Sequence, residues 1–319
     1  MEKKEKAAII ILTYNQKKML EEALDSIIRK TDYKNYKIFL VDNASLDRHD
    51  LMVKRKFPQV RIIRNEKNLG YGEGNNIGIK TAVKEYGPDY FVLLNDDIEI
   101  IDKSWLKKMI KLANSNKKIG IVGSQSIYSD GRFQSSGGYL RKGKITQILE
   151  FKGKRIIDVD HLDVVCVLVK KETMEKIKGF DEIFTPFLLE DTDFCLRAKK
   201  AGYSIKLDTG IKTIHKKSQT LGAIKDRKKM LIRFKNDIIF SRRHLTGRDK
   251  FFRIFVYLPM VAIFKKKHDE DELKFQNFRL REDFLFNLYY YAIAFFPLIY
   301  RKVLGIENKG GSNEKTPKM

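Results

Sequence analysis

The feature that most constrains this chain is a regular alternation of short apolar runs and amphipathic stretches over its first 125 residues. Ala7 to Leu12, Tyr36 to Val41, Val60 to Arg64, Tyr90 to Leu94 and Gly120 to Ile127 read as strands, several of them continuously apolar as in strands buried on both faces. Lys17 to Arg29, Asp47 to Lys56, Asn75 to Glu85 and Lys103 to Asn114 lie between them and read as helices. Strand and helix in strict alternation predict an α/β fold, with a mostly parallel, doubly wound sheet and helices on both faces.

Ligands of such sheets sit beyond the carboxyl ends of the strands. The residues at those ends are Thr13-Tyr14-Asn15, Asp42-Asn43, Asn65 to Gly74 and Asn95-Asp96-Asp97, so consecutive strands deliver polar groups to one rim. A second acidic cluster, Glu190-Asp191-Thr192-Asp193, follows Leu188-Leu189. Carboxylates at the ends of apolar segments are costly to desolvate unless a cation or a proton-transfer role holds them there, so the two clusters point to a metal and a base. Between them, Tyr128 to Glu150 is Gly-rich and reads as hairpins or a loop covering the rim. Asp163 to Lys170 reads as one more buried strand, Lys171 to Lys178 as a short helix, and Glu190 to Ala201 as a helix.

Several function classes are excluded by what the motifs lack. Gly70-Tyr71-Gly72-Glu73-Gly74 is not a dinucleotide fingerprint, which belongs after the first strand, where Leu12-Thr13-Tyr14-Asn15-Gln16 carries no glycine. No Gly-Lys-Ser/Thr phosphate loop occurs. Asn68, Asn75 and Asn76 around the glycines suggest instead a backbone that approaches a ligand closely. Two cysteines, Cys166 and Cys195, support neither a disulfide framework nor a cysteine metal site, and the segment before Ala7 lacks the apolar core of a signal peptide, so a reduced, cytoplasmic setting is expected.

Taken in order, these segments resemble glycosyltransferase family 2, and its rhamnosyltransferase-like branch most. The resemblance is carried by Ile10 to Asn15, Val41 to Asp47, Asn68 to Gly78, Leu93 to Asp97, Gly179 to Phe184 and Glu190 to Arg197, and it covers about residues 7 to 245. It implies a GT-A fold, Rossmann-like, and inverting transfer of a sugar from a nucleotide-diphosphate-sugar, dTDP-rhamnose or a UDP-hexose, to a glycan or lipid-linked acceptor in surface polysaccharide or glycolipid synthesis. By resemblance Asp191 is the general base, with Glu190 orienting it. Thr13, Tyr14, Asn15, Asp42, Asn43, Asn68, Gly70, Gly72, Asn75, Asn76, Asn95 and Asp96 bind the nucleotide-sugar. Asp97, Asp96 and His215 hold Mg²⁺ or Mn²⁺, while Gly137, Gly138 and Asp193 serve the acceptor. Asn95 stands where the family's DxD motif has an aspartate, which leaves one carboxylate fewer for the cation. Arg197 reads as an ion-pair partner of Asp193.

The chain then divides into a catalytic domain over residues 1–220, with a nucleotide-sugar half to about 125 and an acceptor half from about 126, a basic aromatic helical region over 221–307, and a disordered end over 308–319. Net charge is +23, and Lys225 to Arg281 alone holds 17 Lys and Arg against 7 Asp and Glu. This basic stretch is interleaved with the apolar run Phe251 to Phe264, and a second run spans Phe284 to Tyr300. Both are shorter than the roughly 20 residues a bilayer-spanning helix needs. Aromatic runs flanked by cations fit helices lying on an anionic membrane, which places the protein on the inner face of the cell membrane. A packed helical subdomain or homo-oligomer interface and a re-entrant or spanning hairpin are the alternatives. A non-catalytic membrane-surface or nucleic-acid-binding protein is the rival class. Nucleic acid is not expected as a partner, because strand-end carboxylates repel phosphate and no recognition helix stands out.

Overall fold

Ala7 to Ile11 are all fully buried, and their side chains divide alternately between two apolar layers, Ala7, Ile9 and Ile11 on one face and Ala8 and Ile10 on the other. A strand enclosed on both faces belongs in the middle of a covered sheet, and burying each of these isoleucines contributes about 2 kcal/mol. In the computed structural model this strand, β1 (Ala7–Thr13), pairs in parallel with β2 (Tyr36–Asp42) and with β4 (Tyr90–Asn95), and β2 pairs in parallel with β3 (Arg61–Arg64). The crossovers are α1 (Lys17–Arg29), α2 (His49–Lys56) and α3 (Tyr71–Glu85). α1 buries Leu20, Ala23, Leu24 and Ile27, a stripe at i, i+3, i+4 and i+7. The structure describes residues 5–148, 153, 155–216, 226–266, 278–280 and 284–294, and the chain falls into two compact units, residues 1–221 and 222–319.

The first unit continues through β5 (Ile98–Ile100) and α4 (Trp105–Asn114) to β6 (Ile119–Ile127). β12 (Cys166–Lys170) lies antiparallel between β4 and β6, and β13 (Ser204–His215) runs parallel to β6. With β10 (Ile156–Val159) at its edge, the main sheet is ordered β10-β13-β6-β12-β4-β1-β2-β3. It is mostly parallel, as the alternation predicts. β7 (Phe133–Ser135) pairs with the end of β6, and β8 (Gly137–Arg141), β9 (Lys144–Gln147) and β11 (His161–Leu162) form a small separate sheet. α5 (Lys171–Ile177) and α6 (Glu190–Lys200) complete the unit.

Two local outcomes differ from the sequence reading. α3 begins at Tyr71 rather than Asn75, so Gly72 and Gly74 are helical, and they let the helix lie against Phe180 and Leu12 respectively. Their close approach is to protein. The sequence reading named no element over Ser204–His215, which forms β13, with its register against β6 shifting between Asp208 and Lys212.

The second unit contains α7 (Asp226–His244), α8 (Gly247–Phe252), a π-helical turn at Arg253–Tyr257, α9 (Leu258–Ile263) and α10 (Phe284–Ile293). Met230, Phe234, Ile238, Leu258, Ala262 and Ala294 form its core. The apolar run from Phe251 is therefore divided: Ile254, Leu258 and Ala262 are buried, whereas Phe251, Phe252 and Phe255 are 60%, 49% and 56% exposed. Among the described residues no helix is long and apolar enough to cross a membrane. Residues 295–300 of the second apolar run and the expected disordered end, 308–319, lie outside the described residues.

Candidate active site

Parallel register sets the strand ends side by side. Thr13 is paired with Asp42, Asp42 with Arg64, and Leu12 with Asn95. Two loops at this rim are laced together: the Asn15 N–H donates to Ser45 Oγ (3.0 Å), and the Leu46 N–H donates to Asn15 Oδ1 (2.7 Å). Asn15 and Ala44 hold φ of 55° and 66°, left-handed conformations that the crossing bonds over-determine. Asp42 is fully buried, accepts the Ser45 N–H at 2.8 Å and is ion-paired to Arg64. Asn43 donates to Asn68 Oδ1 (2.8 Å) and accepts from Leu69 N–H (3.1 Å) and Asn65 Nδ2 (3.0 Å). Asn43 and Asn68 thus hold the 65–70 loop onto β2, while Asn75 donates to the Tyr71 carbonyl and Asn76 binds both the carbonyl and the N–H of Phe180. These asparagines build the rim through protein contacts.

Asp96 and Asp97 form the turn between β4 and β5, and their side chains meet different elements. Asp96 turns to the end of β1, where the Thr13 hydroxyl and the Tyr14 backbone meet it; burial, augmented by the Asp97 charge, pushes its pKa up to about 7. Asp97 turns to β13, and His215 Nε2 lies 3.2 Å from its Oδ1. Gln134 grips the other side of His215: its Nε2 donates to the His215 carbonyl at 3.2 Å, which leaves its Oε1 as acceptor for Nδ1 at 2.6 Å. Nδ1 therefore carries a proton, so Nε2 and the Asp97 oxygen face one another as two acceptors unless a proton or a cation lies between them. That donor set suits Mg²⁺ or Mn²⁺. Among the described residues no three His, Cys, Asp or Glu side chains converge on one point, so the expected trio of Asp96, Asp97 and His215 does not form a closed cage. An open carboxylate–imidazole pair leaves positions for phosphate and water, and its nitrogen donor fits Mn²⁺ better than Mg²⁺, which prefers oxygen ligands.

The second acidic cluster is presented by a strained turn. Leu188 and Leu189 have φ of 79° and 70°, outliers for bulky residues, and the turn they make starts α6 with Glu190 and Asp191. Asp191 Oδ1 accepts the Thr192 N–H at 2.6 Å. Its pKa is pushed up to about 7, first by burial and then by the charge of Asp163. Asp163 is bonded to Ser135 and, at 3.4 Å, to Gln147 Nε2, which ties it to β7 and β9.

The three expected acceptor residues all have protein neighbours. Asp193 is fully buried and paired to Arg197 at 2.6 Å, and Arg197 also donates to the carbonyls of Ile177 and Gly179. A Cβ on Gly137 would lie 2.2 Å from the His161 carbonyl oxygen, and one on Gly138 1.7 Å from that of Thr146, so this glycine pair is filled by neighbouring strands.

Sequence reasoning assigned no role to Tyr71, Asp163 or Gln134. Tyr71 lies between the clusters: burial and then the charges of Glu190, Asp191, Asp97 and Asp96 raise its pKa well above the ordinary phenol range. Its place inside the glycine motif was the available signal, whereas Asp163 and Gln134 reach the site only through long-range pairing.

Residues 8–172 match the family model described as Glycosyl transferase family 2, just over half of the chain. The protein y4gI of Sinorhizobium fredii is 27% identical over 271 residues, 80% of this chain and 29% of that protein. The N-acetylglucosaminyl-diphospho-decaprenol L-rhamnosyltransferase of Mycobacterium tuberculosis is 24% identical over 242 residues, 67% of this chain and 77% of that one. The crystal structure of GalNAc-T7 with UDP, GalNAc and Mn²⁺ superposes with a TM-score of 0.57 at 14% identity, over 75% of this chain and 51% of that chain. This likeness shows the fold, which is the expected GT-A architecture. The chain spans under a third of y4gI and about half of the GalNAc-T7 chain.

Proposed function

The chain belongs to glycosyl transferase family 2, and from that premise we propose that it transfers a sugar from a nucleotide-diphosphate-sugar to a glycan or lipid-linked hydroxyl, with inversion at the anomeric carbon. Asp191 carries this reading: a carboxylate pushed up to about 7 by burial and the charge of Asp163, on a strained turn at the start of α6. The acceptor hydroxyl gives its proton to Asp191 while its oxygen bonds to the anomeric carbon. The bond from that carbon to the diphosphate breaks, and the electron pair leaves with the diphosphate. A base whose pKa lies near the operating pH serves such a transfer best. Glu190 precedes Asp191 in the same helical turn and shares its field.

On the donor side, Thr13, Tyr14, Asn15 and Asp42 hold the nucleoside, and Arg64, ion-paired to Asp42, orients that carboxylate. Asp97 and His215 would hold Mg²⁺ or Mn²⁺, which when bound neutralises charge growing on the leaving diphosphate. The Mn²⁺ and UDP in the GalNAc-T7 structure support this choice of ligands by analogy of fold. The name of the mycobacterial relative favours a rhamnosyl donor and a lipid-linked acceptor. A lipid-linked acceptor also gives a use to the exposed Phe251, Phe252 and Phe255, which with Arg248 and Lys250 compose a surface suited to an anionic bilayer.

Thermal shift with dTDP-rhamnose, UDP-GlcNAc and GDP-mannose, each with and without Mn²⁺, tests the reading, since a ligand that binds the native state stabilises it by mass action. One of the three should raise the unfolding temperature more with Mn²⁺ than without. No shift from any of them would overturn the donor assignment.

A further inference from the structure

We propose that Tyr71 is a positioning residue of the transfer reaction, whose backbone and side chain together set the gap between the Asn95 to Asp97 strand end and the turn presenting Asp191; this rests on the glycosyl-transfer reading above.

The backbone contact comes first. Gly70 has φ +80°, and a Cβ there would lie 2.6 Å from the Pro186 carbonyl oxygen. The Tyr71 N–H donates to that same oxygen at 3.0 Å. The segment leading through Leu188 and Leu189 into Glu190 is therefore hung on the first residues of α3, and only a glycine at position 70 permits so close an approach.

The side chain reaches the other elements of the site. Tyr71 Oη donates to the Val164 carbonyl at 2.9 Å and lies 3.4 Å from Asn95 Oδ1. Val164 follows Asp163, whose charge acts on Asp191, and the Asn95 N–H donates to the neighbouring Val165 carbonyl at 3.1 Å. The Tyr71 ring meets Phe180 edge-on at 5.6 Å and 83°, and Phe180 stacks on Phe194 of α6 at 4.6 Å. One residue thus touches the end of β4, the chain entering β12, the approach to α6 and, through Phe180, α6 itself. Packing alone would be met by phenylalanine. The hydroxyl adds a directional tie, and burial with four surrounding carboxylates disfavours its ionisation, so it stays a hydrogen-bond donor. Displacement of a reacting group by about 1 Å is enough to slow a reaction on the order of a hundredfold, so such a tie has catalytic leverage without touching the substrate.

Tyr71→Phe and Tyr71→Ala in the full chain test this, with Asp191→Asn beside them. Turnover is read as nucleoside diphosphate released from whichever of dTDP-rhamnose, UDP-GlcNAc or GDP-mannose stabilises the unaltered protein. Tyr71→Phe should lower kcat about tenfold while KM for the donor stays within about twofold and the unfolding temperature is nearly unchanged. Tyr71→Ala, which also removes the ring contact, should lower kcat further and the unfolding temperature with it. A Tyr71→Phe variant with unaltered kcat overturns the proposal, as does one whose kcat and unfolding temperature fall while KM rises, the mark of general loosening. If Asp191→Asn is inactive while Tyr71→Phe is fully active, the transfer reading stands and only this inference falls. If the unaltered protein turns over none of the three donors, both fall.

Discussion

Asp191→Asn should abolish transfer and at the same time stabilise the fold above neutral pH. The carboxyl is held at about 7 against an ordinary aspartate near 3.8, chiefly by burial. Three pKa units correspond to about 4 kcal/mol as an upper bound. Asp191 keeps part of its surface in solvent, and screening reduces the expected effect to about 1–2 kcal/mol. The sign follows from proton linkage: the fold binds this proton more tightly than the unfolded chain does, so its contribution is fully present below about pH 4 and is lost as pH rises through 7. Asparagine keeps the shape and has no proton to lose. The variant and the unaltered protein should therefore have similar urea midpoints at pH 4 to 5, and the variant should be the more stable at pH 8. Turnover should fall by on the order of 10² or more, and in the unaltered protein kcat/KM should rise about tenfold between pH 6 and pH 8, with an apparent midpoint that belongs to Asp191 and Asp163 jointly. A variant that is no more stable at pH 8 than at pH 5, relative to the unaltered protein, would show that the carboxylate is not desolvated as described. Undiminished turnover would remove it from the chemistry.

Asp97→Ala and His215→Ala should each erase the Mn²⁺-dependent part of the donor-induced thermal shift while leaving the Mn²⁺-independent part; an unchanged difference with and without Mn²⁺ refutes the ligand assignment. Arg197→Ala should destabilise the first unit by about 3 kcal/mol or more in urea unfolding, because it strands the fully buried Asp193 without its partner, and adding Asp193→Ala should recover part of that loss. Recovery of nothing would mean that the contacts of Arg197 to the Ile177 and Gly179 carbonyls dominate. Phe251→Ser with Phe255→Ser should weaken co-sedimentation with phosphatidylglycerol vesicles about tenfold or more without changing turnover of a soluble donor; equal co-sedimentation would leave that aromatic face without a role at membranes.

Local patterns that depend on a few neighbouring residues were legible without coordinates. The apolar run of β1, the helical stripe Leu20, Ala23, Leu24 and Ile27, and the placement of Asn95 to Asp97 and Glu190 to Asp191 at element ends all follow from residue order. So did the family, since its motifs are short segments whose order survives in the chain. Which polar residues face a ligand was not legible, because a buried asparagine or aspartate looks the same in sequence whether it binds substrate or protein. Asp193 and Asp191 stand two residues apart in one helical turn, yet the first is fully buried and closed off by Arg197 and the second keeps part of its surface in solvent.

The sequence by itself determined the parallel architecture and the pairing of an acid-tipped strand with an acid-tipped helix, because hydrophobic periodicity and chain order suffice for both. Only the tertiary structure decided that Asp97 meets His215 through β13, that Asp96 turns to Thr13 instead, and that Tyr71 stands between the two clusters. Those outcomes depend on contacts between residues far apart in the chain, such as the 118 positions from Asp97 to His215, and on how the turn between β4 and β5 directs each side chain.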